Sequence, residues 1–376
     1  MIGTENPFTP TFGITPPLLA GREAELAAVR RALRGGPGDP ARAVLLTGPR
    51  GSGKTVLLNA LEDVASEAGW VVISEIVQPG LTDTLTRTVL PGLLAAHDPA
   101  PTDSTVTGVT FGALGVSAGL TRQAQERHRI EPSLRPQLEE LAWLLQAKDS
   151  GVFISLDEVH RDEMNELKPF FHAIQQCFRR GAPVAFVAAG LPSSISSLLN
   201  ENVLTYLRRA ERFSLGELSE PDIRAAIVEP IARGGRRITP SALDLATAAT
   251  AGYPYLVQVV GFELWQVEPS DPVIDLAAAR LAATRARRTA QRLVLEPTLA
   301  DLSPADRAFL RAMAHDDSDP TAIADIMARL GATRDHVNKY RSRLISAQVI
   351  EPAGRGLLRF AIPLLRDYLR QSVAGR

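Results

Sequence analysis

Residues Ala43 to Asn59 read A-V-L-L-T-G-P-R-G-S-G-K-T-V-L-L-N, and this stretch decides the fold. The apolar run from Ala43 to Thr47 reads as a buried strand. Gly48-Pro49-Arg50-Gly51-Ser52-Gly53-Lys54-Thr55 then matches G-x-x-x-x-G-K-[ST] in full. From Val56 an apolar helical pattern continues through Leu57, Leu58, Leu61 and Val64. A strand, a glycine loop and a helix in succession are the context this motif requires. Glycines let backbone N–H groups turn inward as an anion-binding nest at a helix N-terminus. On this reading Gly48, Pro49, Arg50, Gly51, Ser52, Gly53, Lys54, Thr55 and Val56 hold a nucleoside triphosphate. Lys54 reaches its β- and γ-phosphates, and the Thr55 hydroxyl takes one position on Mg²⁺.

Downstream, Gly151-Val152-Phe153-Ile154-Ser155-Leu156-Asp157-Glu158 reads as a buried strand ending in two carboxylates. Asp157 is placed to hold Mg²⁺ through its water shell, and Glu158 to polarise an attacking water. Trp70 to Val77 reads as a second strand, and Pro183 to Leu191 as another of continuous apolar character, as a strand covered on both faces requires. After the second come Ser193 and Ser194, which read either as γ-phosphate sensors or as a cap on the next helix. Leu204 to Leu215 leads into a last short strand and carries Arg208, Arg209 and Arg212. These arginines are either solvated surface charge or include one donated to a neighbouring subunit's γ-phosphate.

Upstream of the loop, residues 1–16 are proline-bearing and aperiodic, an extended arm, and a helix follows to about Arg34. Helices are expected at about 81–97, 134–147 and 162–180. Between them, Val106 to Leu120 alternates apolar with small residues and reads as an inserted hairpin. It either packs on its own domain or projects towards a partner or a DNA strand. From Ser219 the pattern is all-helical, with helices at about 240–250, 254–267 and 275–292. The last carries Arg280, Arg285, Arg287, Arg288 and Arg292, a charge run of the kind that is usually a solvated face.

Beyond Leu302, helix signals recur at Ser303-Pro304, Asp319-Pro320 and Thr333-Arg334, followed by a hairpin with its turn at 352–356. Helix, helix, short turn, helix and hairpin is the order of a winged helix-turn-helix. Residues 302–376 hold 12 Lys+Arg against 8 Asp+Glu, so this segment is locally basic. Arg334, Asn338, Lys339 and Arg341 on the third helix, and Arg355 in the hairpin turn, suit contacts to duplex DNA. The other use of such a module is contact with protein alone.

The whole chain of 376 residues has a formal net charge of −1, so any surface for nucleic acid must be local. Its one cysteine, Cys177, excludes an internal disulfide framework and a cysteine-rich zinc site. No apolar run reaches membrane-span length and the N-terminus lacks a signal pattern, so a cytoplasmic protein without membrane contact is expected.

With this loop, Asp157-Glu158, an arginine cluster, a helical lid and a winged helix in that order, the chain resembles AAA+ ATPases. It is most similar to the branch of archaeal replication-initiator, transposon target-selection and STAND-type signalling ATPases. The resemblance covers about residues 17–371 and is most specific at 44–58 and 152–158. It implies an α/β fold: a five-stranded parallel αβα P-loop core over 17–217, a helical lid and connector over 218–297, and a C-terminal winged helix over 298–376. By that resemblance Gly48 to Thr55 is Walker A, Asp157 and Glu158 are the Walker B pair, and Arg208 or Arg209 is the arginine finger of a homo-oligomer. ATP is the implied cofactor, with ADP left after turnover. One departure matters. Where many AAA+ lids carry a sensor arginine, this chain has Gly252-Tyr253-Pro254-Tyr255, closer to the G-x-P of STAND proteins. Two functions follow: a DNA-associated ATPase switch or loader, or a signalling NTPase whose winged helix meets a protein partner. A regulator that binds nucleotide without hydrolysis is disfavoured by Glu158.

Overall fold

Five strands, β1 (Ala43–Thr47), β2 (Val71–Ile76), β3 (Val152–Val159), β4 (Val184–Gly190) and β5 (Glu211–Ser214), form one parallel sheet in the order β2-β3-β4-β1-β5. The structure is a computed structural model and describes residues 5–11, 13–97, 133–317 and 319–374. The hairpin expected at 106–120 lies outside the described residues. β4 is central and buried at every position, which is why its sequence is an unbroken apolar run. It pairs with β1 on one side (Leu45 opposite Ala188) and with β3 on the other (Ile154 opposite Phe186). β5 closes the edge beside β1.

The chain separates into two compact units. Arg22–Thr47 with Leu57–Ser214 makes the first, and Met1–Gly21, Gly48–Val56 and Leu215–Arg376 make the second. In the first unit the sheet is flanked by α1 (Glu23–Arg34), most of α2 (Lys54–Glu67), α3 (Leu81–Thr84), α4 (Leu90–His97), α5 (Leu134–Gln146), α6 (Met164–Arg179) and α7 (Pro192–Asn200). α3 and α4 are one helical run joined by a π-turn, Leu85–Val89. Phe170, Phe171 and Phe186 lie at its core, with edge-to-face ring contacts at 5.2 and 5.5 Å. Cys177 is fully buried there, and burial pushes its thiol up to about 12, so it is an inert packing residue.

The second unit opens with α8 (Glu220–Arg233), whose start is set by Ser219 accepting from the Asp222 N–H. α9 (Pro240–Ala249), α10 (Pro254–Gln266) and α11 (Leu276–Ala290) follow. Two short parallel strands that the sequence reading missed, β6 (Arg237–Ile238) and β7 (Val273–Ile274), tie the ends of this helical group together. Arg236, only 1 % exposed, donates to the carbonyls of Trp265, Val267, Glu268 and Asp271. Its guanidinium is thereby satisfied without any carboxylate, although burial lowers its pKa.

α11 continues without a break through a π-turn, Gln291–Leu295, into α12 (Glu296–Ala300). Then come α13 (Pro304–Ala314), β8 (Thr321–Ala322), α14 (Ile323–Leu330), α15 (Arg334–Ser346), β9 (Ile350–Pro352), β10 (Leu357–Phe360) and α16 (Leu365–Ala374). Their strands form an antiparallel sheet in the order β8-β10-β9. α13 starts with a capping box, Ser303 with Asp306, and Arg343 of α15 bonds both of these side chains. Burial raises the Asp306 pKa, but the bonds from Arg343 and Ser303 more than offset this and hold the carboxyl below its ordinary value.

The described residues of the N-terminal arm hold no helix or strand, yet they are anchored. Phe8 is 2 % exposed within the helical cluster, the Asn6 side chain donates to the Phe262 carbonyl at 3.1 Å, and the Thr9 N–H donates to Gln258. α10 accommodates the ring because residue 261 is glycine: a Cβ there would lie 2.2 Å from Phe8. Phe8→Ala should therefore cost about 3–5 kcal/mol in the second unit. Denaturant titration of the full chain reads this, and a loss below about 1 kcal/mol would show that the arm does not support the helices.

Candidate nucleotide-binding site

Because β1, β3 and β4 are parallel, their C-terminal ends lie along one edge of the sheet, the edge beyond which open α/β sheets bind ligands. β1 ends at Thr47 and α2 begins at Lys54, so the glycine loop is the whole connection between them. The Ser52 hydroxyl donates to the Pro49 carbonyl at 2.8 Å and closes the turn. Lys54, 9 % exposed, folds back so that its Nζ donates to the carbonyls of Gly48 at 2.9 Å and Pro49 at 3.0 Å. Gly51 has φ +75°, a conformation that costs a side-chain-bearing residue about 1–2 kcal/mol. Arg50 and Thr55 are exposed and Val56 is half-buried.

Asp157 and Glu158 do not end β3, as the sequence suggested, but sit in a bulge just before its last residue, Val159. The pairing with β4 shifts between Leu156 and Val159. Glu158 takes φ +56°, and Asp157 Oδ1 accepts from the Glu158 N–H at 2.8 Å. Such strained backbone clusters at functional sites. The Glu158 carboxylate is half exposed, and its Oε2 lies 3.0 Å from Nε2 of His160. The sequence reading missed His160, because a histidine two residues beyond a carboxylate carries no signal until the bulge brings the two side chains together.

Ser193 and Ser194 both fall inside the first turn of α7. The cap position is Leu191, with no side-chain cap, so the capping reading of the serine pair is corrected. Arg208 and Arg209 are exposed at the end of the 3₁₀ stretch Asn202–Arg209, just before the edge strand β5, and Arg212 is exposed on β5 itself. The Arg208 Nε donates to the Leu199 carbonyl at 3.2 Å.

Within the second unit, the Gly252-Tyr253-Pro254-Tyr255 segment meets the glycine loop. The Tyr255 N–H donates to the Gly51 carbonyl at 3.3 Å. A Cβ on Gly51 would lie 2.9 Å from the Tyr253 ring and 3.2 Å from its hydroxyl. Tyr253 is buried beside Leu256, Ala290 and Leu364, and burial, aided by Glu351, pushes its hydroxyl above the ordinary tyrosine range. In the sequence this segment stood out only for its missing arginine. Its contact with the loop depends on how the helices fold back, which periodicity does not reveal. Of the residues proposed for DNA, Arg334 and Lys339 are exposed on α15 and Arg355 is exposed in the β9–β10 turn. Asn338 and Arg341 are half-buried, and among the described residues the Arg341 Nε has no hydrogen-bond partner.

Residues 18–187 match a family model described as an AAA ATPase domain, and residues 292–369 match a domain of unknown function. No curated protein matches the sequence. Among solved structures, the Walker-type ATPase PABY2304 of Pyrococcus abyssi is similar over 94% of this chain and 96% of its own, with 18% identity and a TM-score of 0.59. The Aeropyrum pernix ORC2 protein, solved as ADPNP–ADP complexes, is similar over 98% of both chains, with 16% identity and a TM-score of 0.55. Together with the β2-β3-β4-β1-β5 sheet, these matches give the chain an AAA+ P-loop ATPase fold resembling that of the archaeal ORC proteins.

Gly51→Ala should weaken ATP binding roughly tenfold, because it strains a left-handed position and overlaps the Tyr253 ring. Adding Tyr253→Ala should restore part of the loss by relieving the overlap. Fluorescence titration with an ATP analogue measures both, and wild-type affinity in the single variant would show the loop is not so constrained.

Proposed function

We propose that this chain binds and hydrolyses ATP as an oligomerising, nucleotide-dependent switch or loader associated with DNA. The observation that carries the reading is the Lys54 ammonium, held at the start of α2 by two carbonyls of the glycine loop. A polyphosphate is a stronger partner for that ammonium than two neutral carbonyls, so the loop is poised to exchange one for the other. The neighbouring ORC2 structure, solved with ADPNP and ADP, supports the choice of ligand.

The residues fit the chemistry. Thr55 and Asp157 offer hard oxygen donors suited to Mg²⁺, which when bound would neutralise charge on the β- and γ-phosphate oxygens. Lys54 takes up phosphate charge from the loop side. Glu158 orients the attacking water, and His160 is placed to hold its carboxylate until substrate arrives. Arg208 and Arg209, exposed beside an edge strand, are placed to be presented to a second copy of the chain. A guanidinium suits that role because its planar fork clamps phosphate oxygens and stays charged when desolvated. The α13–α16 segment serves as a winged helix, with Arg334, Lys339 and Arg355 the residues best exposed for phosphate contact and Asn338 and Arg341 set deeper.

A second reading is favoured by two observations. Tyr253 and Tyr255 meet the glycine loop where an AAA+ lid would supply an arginine, which suits a slow switch better than a cycling motor. Moreover, Arg329, Arg343, Arg359, Arg366 and Arg370 of the C-terminal segment are each paired with an acid. Those pairs commit five of the segment's arginines to contacts within the fold, which favours a signalling NTPase that contacts protein.

Glu158→Gln should retain ATP binding and lose turnover in a steady-state phosphate-release assay; hydrolysis at the wild-type rate would remove Glu158 from its role. Changing Arg208 and Arg209 together to Ala should reduce turnover by about 10³–10⁵ if one of them acts in trans. Mixing that variant with Glu158→Gln should then restore partial activity, since one mixed interface keeps an intact carboxylate and an intact arginine. A dead mixture, with activity per mole flat on dilution, would refute the shared site.

A further inference from the structure

α11 turns an alanine face inward and an arginine face outward. Ala278, Ala279, Ala282, Ala286 and Ala290 are buried, and the helix packs against α9 and α10. Arg280, Arg285, Arg287 and Arg288 are exposed on it, and Arg292 is exposed on the π-turn that continues it. At about 100° per residue, Arg280 and Arg287 align, Arg288 lies about 80° round from Arg280 on the same outer surface, and Arg285 stands at its flank. Among the described residues none of these five guanidinium groups has an ion-pair or hydrogen-bond partner. On α8, by contrast, Arg224 and Arg233 each carry one.

Unpaired like charges one turn apart, such as Arg288 and Arg292, destabilise a helix by a few tenths of a kcal/mol per pair. This face therefore keeps its charge at the expense of stability, and a partner of opposite charge would relieve it. All five residues are arginine and none is lysine, which suits the bidentate geometry of phosphate. From Arg280 to Arg292 the helix rises about 18 Å, the length of about five phosphates along one strand of a duplex. An amphipathic helix that lies in a membrane needs its apolar face free, and here that face is already used against α9 and α10.

We propose that the outer face of α11 binds the phosphate backbone of nucleic acid, without reading bases. The inference extends the DNA-associated reading above, but it places the main electrostatic contact on α11 and does not need α15. It also adds to that reading a basic face on which, among the described residues, no guanidinium is ion-paired.

The test uses the full chain, a fluorescent 20-base-pair duplex of arbitrary sequence, and anisotropy titrations over a range of salt. Arg280→Gln, Arg287→Gln and Arg288→Gln together should lower the slope of log affinity against log salt by about 2.7, at about 0.9 per lost phosphate contact. ATP-analogue affinity should be unchanged in this triple variant, which confirms that it folds. Lys339→Ala with Arg341→Ala should change the slope less. Wild-type protein that binds no duplex overturns both this proposal and the DNA-associated reading. Wild-type binding with a slope that the triple variant leaves unchanged overturns this proposal alone and returns the contact to α15. Should the triple variant instead lose cosedimentation with phosphatidylserine vesicles, or self-association, while duplex affinity holds, the face serves lipid or a second copy and the proposal fails.

Discussion

Lys54 carries a full charge almost out of reach of solvent, and two backbone carbonyls hold it there. An ammonium buried without partners would be far too costly to keep, so the loop must turn those carbonyls inward. That demand fixes the rest of the loop. Ser52 must close the turn onto Pro49, and Gly51 must take a left-handed conformation open only to a residue without a side chain at this spot. The tyrosine segment at the start of α10 then settles on the space that Gly51 leaves. The partners of this loop thus include its own backbone and the start of α10.

These internal contacts are what support the proposed reading of the chain as a switch. The Lys54 ammonium is bonded within its own loop. Tyr253 belongs to a small cluster with Leu256 and Ala290, against which Leu364 of the C-terminal segment packs. Glu158 shows the same logic on β3. It sits in a bulge at positive φ and pairs with His160.

The sheet was legible in the sequence because parallel strands covered on both faces leave a simple trace, and β4 is apolar from Val184 to Ala189. The glycine loop was legible because its chemistry restricts residue types at fixed spacing. The bulge at Leu156 to Val159 was not, since a one-residue shift in pairing leaves composition unchanged. Phe8 looked like part of a featureless arm because its pocket comes from α10, far along the chain. Arg236 gave no signal either, since its partners are main-chain carbonyls, which every residue has. Arg343 resembled its neighbours on a basic helix, and only the fold shows that Asp306 and Ser303 have taken it. Contacts between distant segments are what local pattern omits.

The central claim is that the loop around Lys54 is a nucleotide site, and calorimetric titration of MgATP into the full chain tests it most directly. The account predicts one saturable site per chain in the wild type. In Lys54→Ala the affinity should fall by about 10- to 100-fold, the worth of a charge-assisted bond of roughly 1.5–3 kcal/mol. Equal affinity in the two proteins, or no heat of binding in either, would contradict it.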